Sequence, residues 1–548
     1  MSAVVAPRLE AGSPHPFNGM GVWRLMTTRA GVGGDRPFVT WQPFDAPART
    51  WTYRELAREA ASVAAGLARR GVRPGDRVLI HLENSPEFLF SWFACAALGA
   101  VAVTTNTRSA PDELAYYAEH CGAVAAITQP RFAELVAKAA PGLRFIACTD
   151  HDSGVPADSG EDPFAGLAGN PDDLVAAPSD PLAPVSVQYT SGTTSRPKGV
   201  LWTHANALWA ARTNAAHETL RPEDCHLTYL PLFHTNALAY STLATLWTGG
   251  RMVLVPKWST SRFWDVSLRH GCTWLSLMGL TQRFILGSEV PAGHRYRLFG
   301  GPVCDLDSDA RYGVKTLGWW GMTETLATVV VGDPYWPSRP LSMGRPAPEY
   351  GVRVLRADRT PVEPEETGQL EVHGIRGLSL FAEYLDNPEA TAESFTEDGW
   401  FRTGDLVTWH GDGHLSFADR DKDMLRVGAE NVSAAEVERV ILQVPGVVEA
   451  AVVARPDDKL DEVPIAFVTA SGADPDGIAE LVGAACRRML ADFKVPRAVH
   501  VVRELPRSTL SKIDKKELRS VAAEDADRGA AQVRWAASAT TDPSGDAR

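Results

Sequence analysis

The sequence predicts an α/β chain, with a large N-terminal domain of two α/β subdomains plus a β-rich subdomain, followed by a small α+β C-terminal domain. Three observations predict it. Between Trp51 and about Thr149, helical patterns such as YRELAREAASVAAGLARRG alternate with short apolar runs such as DRVLIHL and AVAVTTN. That is the rhythm of parallel strands joined by helices. From Gly344 the texture changes to short β-like pieces, GVRVLRA, GQLEVHG and HLSFADR. After Arg420 the alternation resumes for about 100 residues, a normal size for a separate domain. At 548 residues the chain also exceeds what one hydrophobic core usually organises.

Taken in order, the N-terminal stretch MSAVVAPRLEAGSPHPFNG lacks a basic start followed by an apolar run, so no secretory signal is expected. Gly71, Pro74 and Gly75 punctuate the first helix-to-strand connection. Phe88 to Val103 is the most apolar run, yet it is short for a membrane span and contains Gly99; it predicts a buried helix running into a strand. Asp150 to Pro184 is rich in Asp, Pro and Gly and predicts a long surface connection before a strand at Val185 to Tyr189. A second α/β unit is expected to run through a strand at Arg251 to Val255 and the short apolar run Thr273 to Met278, up to about Val331. In the C-terminal part, helices are expected at Ala434 to Gln443 and Asp476 to Leu490. Strands are expected there at Ala450 to Ala454, Pro464 to Val468 and Ala498 to Val502. The Ala/Asp/Ser-rich stretch from Val521 to Arg548 reads as a disordered tail. The expected divisions are therefore 1–421, 422–520 and 521–548.

Composition excludes several function classes. With 45% hydrophobic and 22% charged residues the chain is globular. A net charge of -13 argues against broad nucleic-acid binding, which needs a basic surface, but leaves room for a local anion site. The seven cysteines are scattered and never form a CxxC pair, so neither a zinc cluster nor a disulfide framework is expected, and a reducing cytoplasm fits best. Nothing in the sequence sets an oligomeric state.

The local anion site is at Tyr189-Thr190-Ser191-Gly192-Thr193-Thr194-Ser195-Arg196-Pro197-Lys198-Gly199-Val200. Small residues let the backbone curl with its N–H groups inward, while hydroxyls and Lys198 add donors and charge for a polyphosphate. The order of Lys198 and Gly199 differs from the common GxxxxGK[ST] loop. At these residues the chain resembles the superfamily of adenylate-forming enzymes: acyl-CoA synthetases, nonribosomal-peptide adenylation domains and luciferases. Further signatures of that superfamily follow in its order. They are Tyr229 to His234 (YLPLFH), Trp320 to Glu324 (WGMTE), Trp400 to Asp405 (WFRTGD), Asp419 to Asp423 (DRDKD) and Pro506 to Ile513 (PRSTLSKI).

The resemblance implies roles residue by residue. Thr190, Ser191, Gly192, Thr193, Thr194 and Lys198 would hold the phosphates of ATP, with Thr323 nearby. Glu324 would hold Mg²⁺, since a carboxylate beside ATP serves as a ligand bridging to phosphate oxygens. Trp320 stands where the family usually has a tyrosine against adenine, and its larger π-face suits the same role. Gly300, Gly301 and Pro302 match the small-residue loop lining the adenine and acid pockets, with Gly321 and Met322 on the nucleotide side. Asp405 would accept from the ribose hydroxyls, and Arg420 would make a second ribose or phosphate contact. Lys512 would be the terminal catalytic lysine that stabilises charge in the transition state, although Ser511 replaces the usual Gly before it. Lys422 matches the hinge about which the small domain is expected to move. His234 would gate the acid pocket, lined by Asn236, Ala237, Tyr240, Ser276 and Met278.

HLENSPEFLFSWFACAALGAV, YTSGTTSRPKGV and DRDKDMLRVGAENVSAAEVE look most like the crotonobetaine/carnitine-CoA ligase branch. The expectation is therefore adenylation of a small acid with ATP and Mg²⁺, then transfer to CoA. Ala429 stands where a second Gly is common in the segment flanking the pantetheine tunnel. No cationic partner for a second carboxylate stands out, so a small or aromatic acid is expected rather than a long fatty chain. The alternative within enzymes is a nitrite-activating ligase of specialised metabolism that adenylates nitrite and passes it to an amine. A silent ATP-sensing protein should have lost Lys512 or Glu324, and both are present.

Overall fold

A computed structural model describes residues 7–10, 12–190, 196–278, 281, 285, 288–420, 424–428, 430–470, 475–506, 513 and 515–527. The chain starts with α1 (Val22–Gly33) and the hairpin β1 (Pro37–Trp41) and β2 (Arg49–Thr52). It then alternates through α2 (Tyr53–Arg69), β3 (Arg77–His81), α3 (Pro86–Leu98), β4 (Val101–Thr104), α4 (Pro111–Cys121), β5 (Ala123–Thr128), α5 (Pro130–Ala139) and β6 (Ile146–Cys148). The long connection after Cys148 carries the small hairpin β7 (His151–Asp152) and β8 (Val155–Pro156). Next come β9 (Pro184–Thr190), β10 (Lys198–Thr203), α6 (His204–His217), β11 (Cys225–Thr228), a π-helix (Asn236–Leu243), α7 (Ala244–Thr248), β12 (Arg251–Leu254), α8 (Thr260–His270) and β13 (Trp274–Ser276). β14 (Leu298–Gly301), β15 (Lys315–Trp320), β16 (Val330–Val331) and β17 (Arg345–Pro346) complete the second α/β part.

β3 to β6, β9 and β10 build a seven-stranded sheet in the order β20-β10-β9-β4-β3-β5-β6, where β20 is Glu383–Tyr384. The other large sheet has nine strands, β17-β16-β15-β14-β13-β11-β12-β1-β2, parallel from β15 to β1 and antiparallel at both margins. β18 (Gly351–Leu355), β19 (Thr367–His373), β21 (Phe401–Trp409) and β22 (Leu415–Arg420) form an antiparallel sheet where the texture after Gly344 predicts a β-rich part. One apolar core runs through all three sheets.

The apolar run Phe88 to Val103 resolves into α3 and β4 as expected. Ser85 caps α3 by accepting from Phe88 N–H, Pro86 opens it, and Gly99 ends it in the left-handed region. Nearly every residue of α3 is buried. Among the described residues no helix is long and apolar enough to cross a membrane.

The chain divides into two compact units: residues 1–107, 114–190 and 198–421, and residues 108–113, 191–197 and 422–548. In the second unit, β23 (Met424–Val427), β24 (Glu430–Ser433), β25 (Val447–Asp457), β26 (Asp461–Ala470) and β27 (Ala498–Val501) form one sheet. Its two faces follow the period of a strand. Ala450, Val452, Ala466 and Val468 pack with the helices Ala434–Ile441 and Pro475–Met489, whereas Ala451, Val453, Ile465 and Phe467 pack with Leu518 and Ala522.

Two expectations are corrected here. β25 and β26 are longer than the apolar runs predicted, because pairing continues through Arg455 to Asp457 and through Asp461 and Glu462, where the backbone ladder needs no apolar side chains. The helix Lys515–Asp527 also extends into the stretch expected as tail, since Leu518 and Ala522, four apart, bury one face of it. Residues 528–548 lie outside the described residues.

Candidate active site

β9 and β10 run antiparallel with Thr190 opposite Lys198, so the ends of the phosphate-loop candidate are fixed side by side. β10 also pairs with β20, placing Val200 opposite Tyr384. The Lys198 ammonium sits 4.6 Å from the centroid of the Tyr384 ring, and the Tyr384 hydroxyl donates to Glu324 Oε1 at 2.9 Å. Lys198, Tyr384 and Glu324 are thereby chained together. Burial pushes the Tyr384 phenol well up, and the neighbouring Glu324 charge adds to this. Glu324 is only 4% exposed. A bound magnesium ion usually takes one or two carboxylates and completes its shell with phosphates and water. A carboxylate oriented by Tyr384, next to Lys198 in that chain of contacts, fits that demand.

The turn carrying Glu324 is tied to β9 by hydroxyls. The Thr235 hydroxyl lies 2.8 Å from Gln188 Oε1 and 3.1 Å from Thr323 Oγ1, and Trp202 Nε1 donates to the Thr323 carbonyl at 3.0 Å. Met322 N–H donates to Thr325 Oγ1, closing the turn, and Leu326 just beyond it is held at a φ of 66. A left-handed non-glycine residue of this kind costs about 1 kcal/mol or more, so the surrounding bonds must enforce it.

On the nucleoside side, Trp320 Nε1 donates to Asp405 Oδ2 at 2.8 Å, and both side chains are buried. The residue expected against adenine and the one expected on the ribose are thus one bonded unit. A carboxylate has about four acceptor sites, so a donor from Trp320 leaves capacity for ribose hydroxyls. Asp405 stands directly opposite Arg420 across the β21–β22 ladder. Gly300 and Gly301 end β14, with Pro302 following, and pair with Leu317 and Gly318. A Cβ on Gly300 would come within 1.6 Å of the Trp319 ring, so glycine is what lets that ring lie there.

The acid-pocket candidates converge on the π-helix. His234 precedes it, with its carbonyl accepting from Leu238 N–H and its ring 4.7 Å from that of Phe233. Short π segments often mark functional sites, and i to i+5 bonding stacks residues four and five apart. Asn236, Tyr240 and Ser241 therefore share a side. The Tyr240 ring meets Trp319 edge-on at 6.2 Å. A Cβ on Gly321 would fall 2.4 Å from the Tyr240 hydroxyl and 2.6 Å from the Ala327 carbonyl. Ser276, at the end of β13, pairs with Gly300, and the Met278 N–H donates to Thr281 Oγ1.

Thr190, Lys198, Trp320, Gly321, Met322, Thr323, Glu324, Asp405, Gly300, Gly301, Pro302, His234, Asn236, Tyr240, Ser276 and Met278 all stand in the first unit. Ser191, Gly192, Thr193, Thr194, Lys422 and Lys512 lie outside the described residues, as do Ala429 and the side chain of Arg420. Sequence reasoning missed Tyr384, Thr235 and Gln188. Each belongs to no motif, and the only signal was Tyr384's position beside Leu385, at the end of an apolar run.

Comparison with known proteins adds the following. Residues 26–385 match the AMP-binding enzyme family, and residues 436–512 match the AMP-binding enzyme C-terminal domain. The crotonobetaine/carnitine–CoA ligase of Escherichia coli O139:H28 (strain E24377A / ETEC) is 33% identical over 485 residues, covering 86% of this chain and 93% of that protein. A double mutant of o-succinylbenzoate CoA synthetase (MenE) from Bacillus subtilis, bound with its product analogue OSB-NCoA, superposes with a TM-score of 0.79 at 26% identity. It covers 91% of this chain and 98% of its own. The anthranilate CoA ligase AuaEII in complex with anthranoyl-AMP gives a TM-score of 0.67 at 26% identity, covering 94% and 99%.

Proposed function

The chain belongs to the AMP-binding enzyme family, and we propose that this AMP-forming ligase adenylates a small carboxylic acid with ATP and passes the acyl group to coenzyme A. The observation that carries the reading is the chain from Lys198 through Tyr384 to Glu324, which sets a cation and an oriented carboxylate beside the phosphate-loop candidate.

In the first half-reaction a carboxylate oxygen of the acid attacks the α-phosphorus of ATP, and the bond to the bridging oxygen breaks to release diphosphate. In the second, the sulfur of CoA attacks the acyl carbon, AMP leaves, and the thiol proton passes to solvent. Most of the rate comes from positioning and from fixed charge. Thr190, Ser191, Gly192, Thr193, Thr194 and Lys198 bind the phosphates. Trp320 flanks adenine with Gly301, Pro302, Gly321, Met322 and Thr323, and Asp405 and Arg420 bind the ribose. Lys512 neutralises charge at the α-phosphate, and Lys422 serves as hinge. Glu324 would hold Mg²⁺, which supplies positive charge to the leaving diphosphate. We place the reaction in the cytoplasm on the ground that all seven cysteines are unpaired thiols. The nitrite alternative is not favoured, since the relatives and neighbours reported above are CoA ligases.

The test is diphosphate release and product mass over a panel of acids, with and without CoA. Acid-dependent release, with AMP and acyl-CoA formed when CoA is present, is expected. Release with nitrite and an amine but with no carboxylic acid would overturn the proposal.

A further inference from the structure

The interior beside the π-helix holds polar atoms that the fold does not use. Asn236 Oδ1, Ser241 Oγ, Ser276 Oγ and both carboxyl oxygens of Glu218 are buried with no hydrogen-bond partner among the described residues, as is Asn214 Nδ2. Natural interiors satisfy the great majority of such atoms, and each one left over costs about 1–3 kcal/mol. These atoms belong to elements that pack on one another, since the π-helix contacts both α6 and β13. They point to an occupant.

Glu218 is the most telling of them, because it is fully buried and directly follows α6. The neighbouring cation, Arg297, is engaged elsewhere: its Nε donates to Asp224 Oδ1 at 2.8 Å, and it reaches Glu218 only through the backbone carbonyl. Asn214, one helical turn earlier on the same face, is pinned by its Oδ1 to the Thr328 N–H at 3.1 Å, four residues past Glu324. The Tyr240 hydroxyl lies against Gly321, and the π-helix that carries Tyr240 packs on α6, which ends at Glu218. The π-helix therefore links the adenylating end to the helix that leads into Glu218. Arg297 precedes Gly300 by three strand residues, or about 10 Å at the rise of a strand. Through Arg297, Glu218 is thus tied to the chain just before β14, away from the Gly300 end of that strand.

We propose that the acid taken by this site carries an amine at the end remote from its carboxylate, and that Glu218 receives that amine. The inference rests on the adenylation reading above and names its substrate class. In the free protein, burial holds the Glu218 carboxyl neutral, with Asp224 adding to the shift and Arg297 opposing it. A neutral carboxyl can accept from an aryl amine, and an arriving alkylammonium displaces its proton to solvent. Ser241, Ser276 and Asn236 offer the remaining acceptors along the way.

The experiment compares matched acids on the full chain with ATP, Mg²⁺ and CoA: 4-aminobenzoate against 4-methylbenzoate, and 6-aminohexanoate against heptanoate. Diphosphate release is the readout. A site built to hydrogen-bond an N–H rejects the methyl isostere by roughly 100-fold or more in kcat/KM. That preference is expected in at least one pair. Glu218→Leu should cut it at least about tenfold, and Glu218→Gln, which keeps the volume, should cut it for the alkylammonium acid. The ratio for two acids on one preparation does not depend on the fraction folded. Methyl acids used as well as amino acids, or an unchanged ratio in Glu218→Leu, would overturn the inference while leaving adenylation standing. Turnover confined to panel acids without an amine would do the same. Absence of turnover with every acid would overturn both.

Discussion

Tyr384 holds Glu324 with one hydrogen bond and faces Lys198 with its ring, so its two contributions separate by mutation. Tyr384→Phe keeps the ring and removes its hydrogen bond to the carboxylate. Loss of a residue that orients a metal ligand typically costs about 10–100-fold in metal affinity or activity. The Mg²⁺ concentration for half-maximal diphosphate release should rise in that range while ATP binding without metal stays near wild type. An unchanged Mg²⁺ dependence would separate Tyr384 from the metal. Glu218 makes a second prediction at this scale, in the pH dependence of folding. Its ordinary value is 4.5, and burial raises it well above that in the folded chain, with Asp224 adding and Arg297 opposing. Below about pH 4.5 both states hold the proton and nothing is lost. Above it the unfolded chain releases the proton and the folded chain keeps it. Stability therefore falls by about 1.4 kcal/mol per pH unit until the raised folded value is passed. Glu218→Gln lacks this loss. The stability of Glu218→Gln relative to wild type, from urea titrations, should grow between pH 5 and pH 8, and a constant difference would contradict the assignment.

α6 shows what an element needs besides periodicity. Thr203 accepts from Asn206 N–H, and the Asn206 side chain in turn accepts from Thr203 N–H, which completes a capping box. The Asn206 amide then donates to the carbonyls of Leu378 and Leu380, both at 2.8 Å. Asn206→Leu keeps the Thr203 cap but leaves the buried Thr203 N–H and the Leu378 carbonyl without their Asn206 partner, so a loss of about 3 kcal/mol is expected from urea unfolding. A loss below about 1 kcal/mol would show that the loop from Gly377 to Phe381 rearranges at little cost. The strand before the loop, the buried helix at Phe88 and the alternation at both ends of the chain were legible because each rests on local periodicity. Other features were not. Lys198 to Thr203 returns alongside β9, but its other neighbour, β20, lies far on in the sequence and leaves no local sign. Nothing in Asn236 to Leu243 announces π bonding, which is set by packing against α6 and β13. Trp320 was legible as the aromatic of its motif, whereas its bond to Asp405, 85 residues on, was not.

At the scale of the molecule, the described candidates for phosphate, ribose and metal recognition, Thr190, Lys198, Trp320, Asp405 and Glu324, sit in one unit, with a core of its own. The other unit closes its own core on both faces of its sheet and contains Lys512. Each should therefore keep its fold without the other. Ending the chain after Asp421 retains Thr190, Lys198, Glu324, Trp320 and Asp405, keeps residues 108–113 and 191–197 of the second unit, and removes Lys512 with the rest of it. Such a chain should bind ATP within about threefold of the full protein, because a core that is complete locally needs no distant support. Its diphosphate release should fall by roughly 10³-fold, the scale on which a single stabiliser of transition-state charge acts. Lys512→Ala in the full chain should lose a similar factor in kcat with little change in ATP affinity, since an interaction made only in the transition state lowers rate and not binding. Matching losses in the two proteins would assign the missing catalysis to that one lysine. Near-full release by either would remove Lys512 from the mechanism, and a truncated chain that no longer binds ATP would show that nucleotide recognition depends on both units.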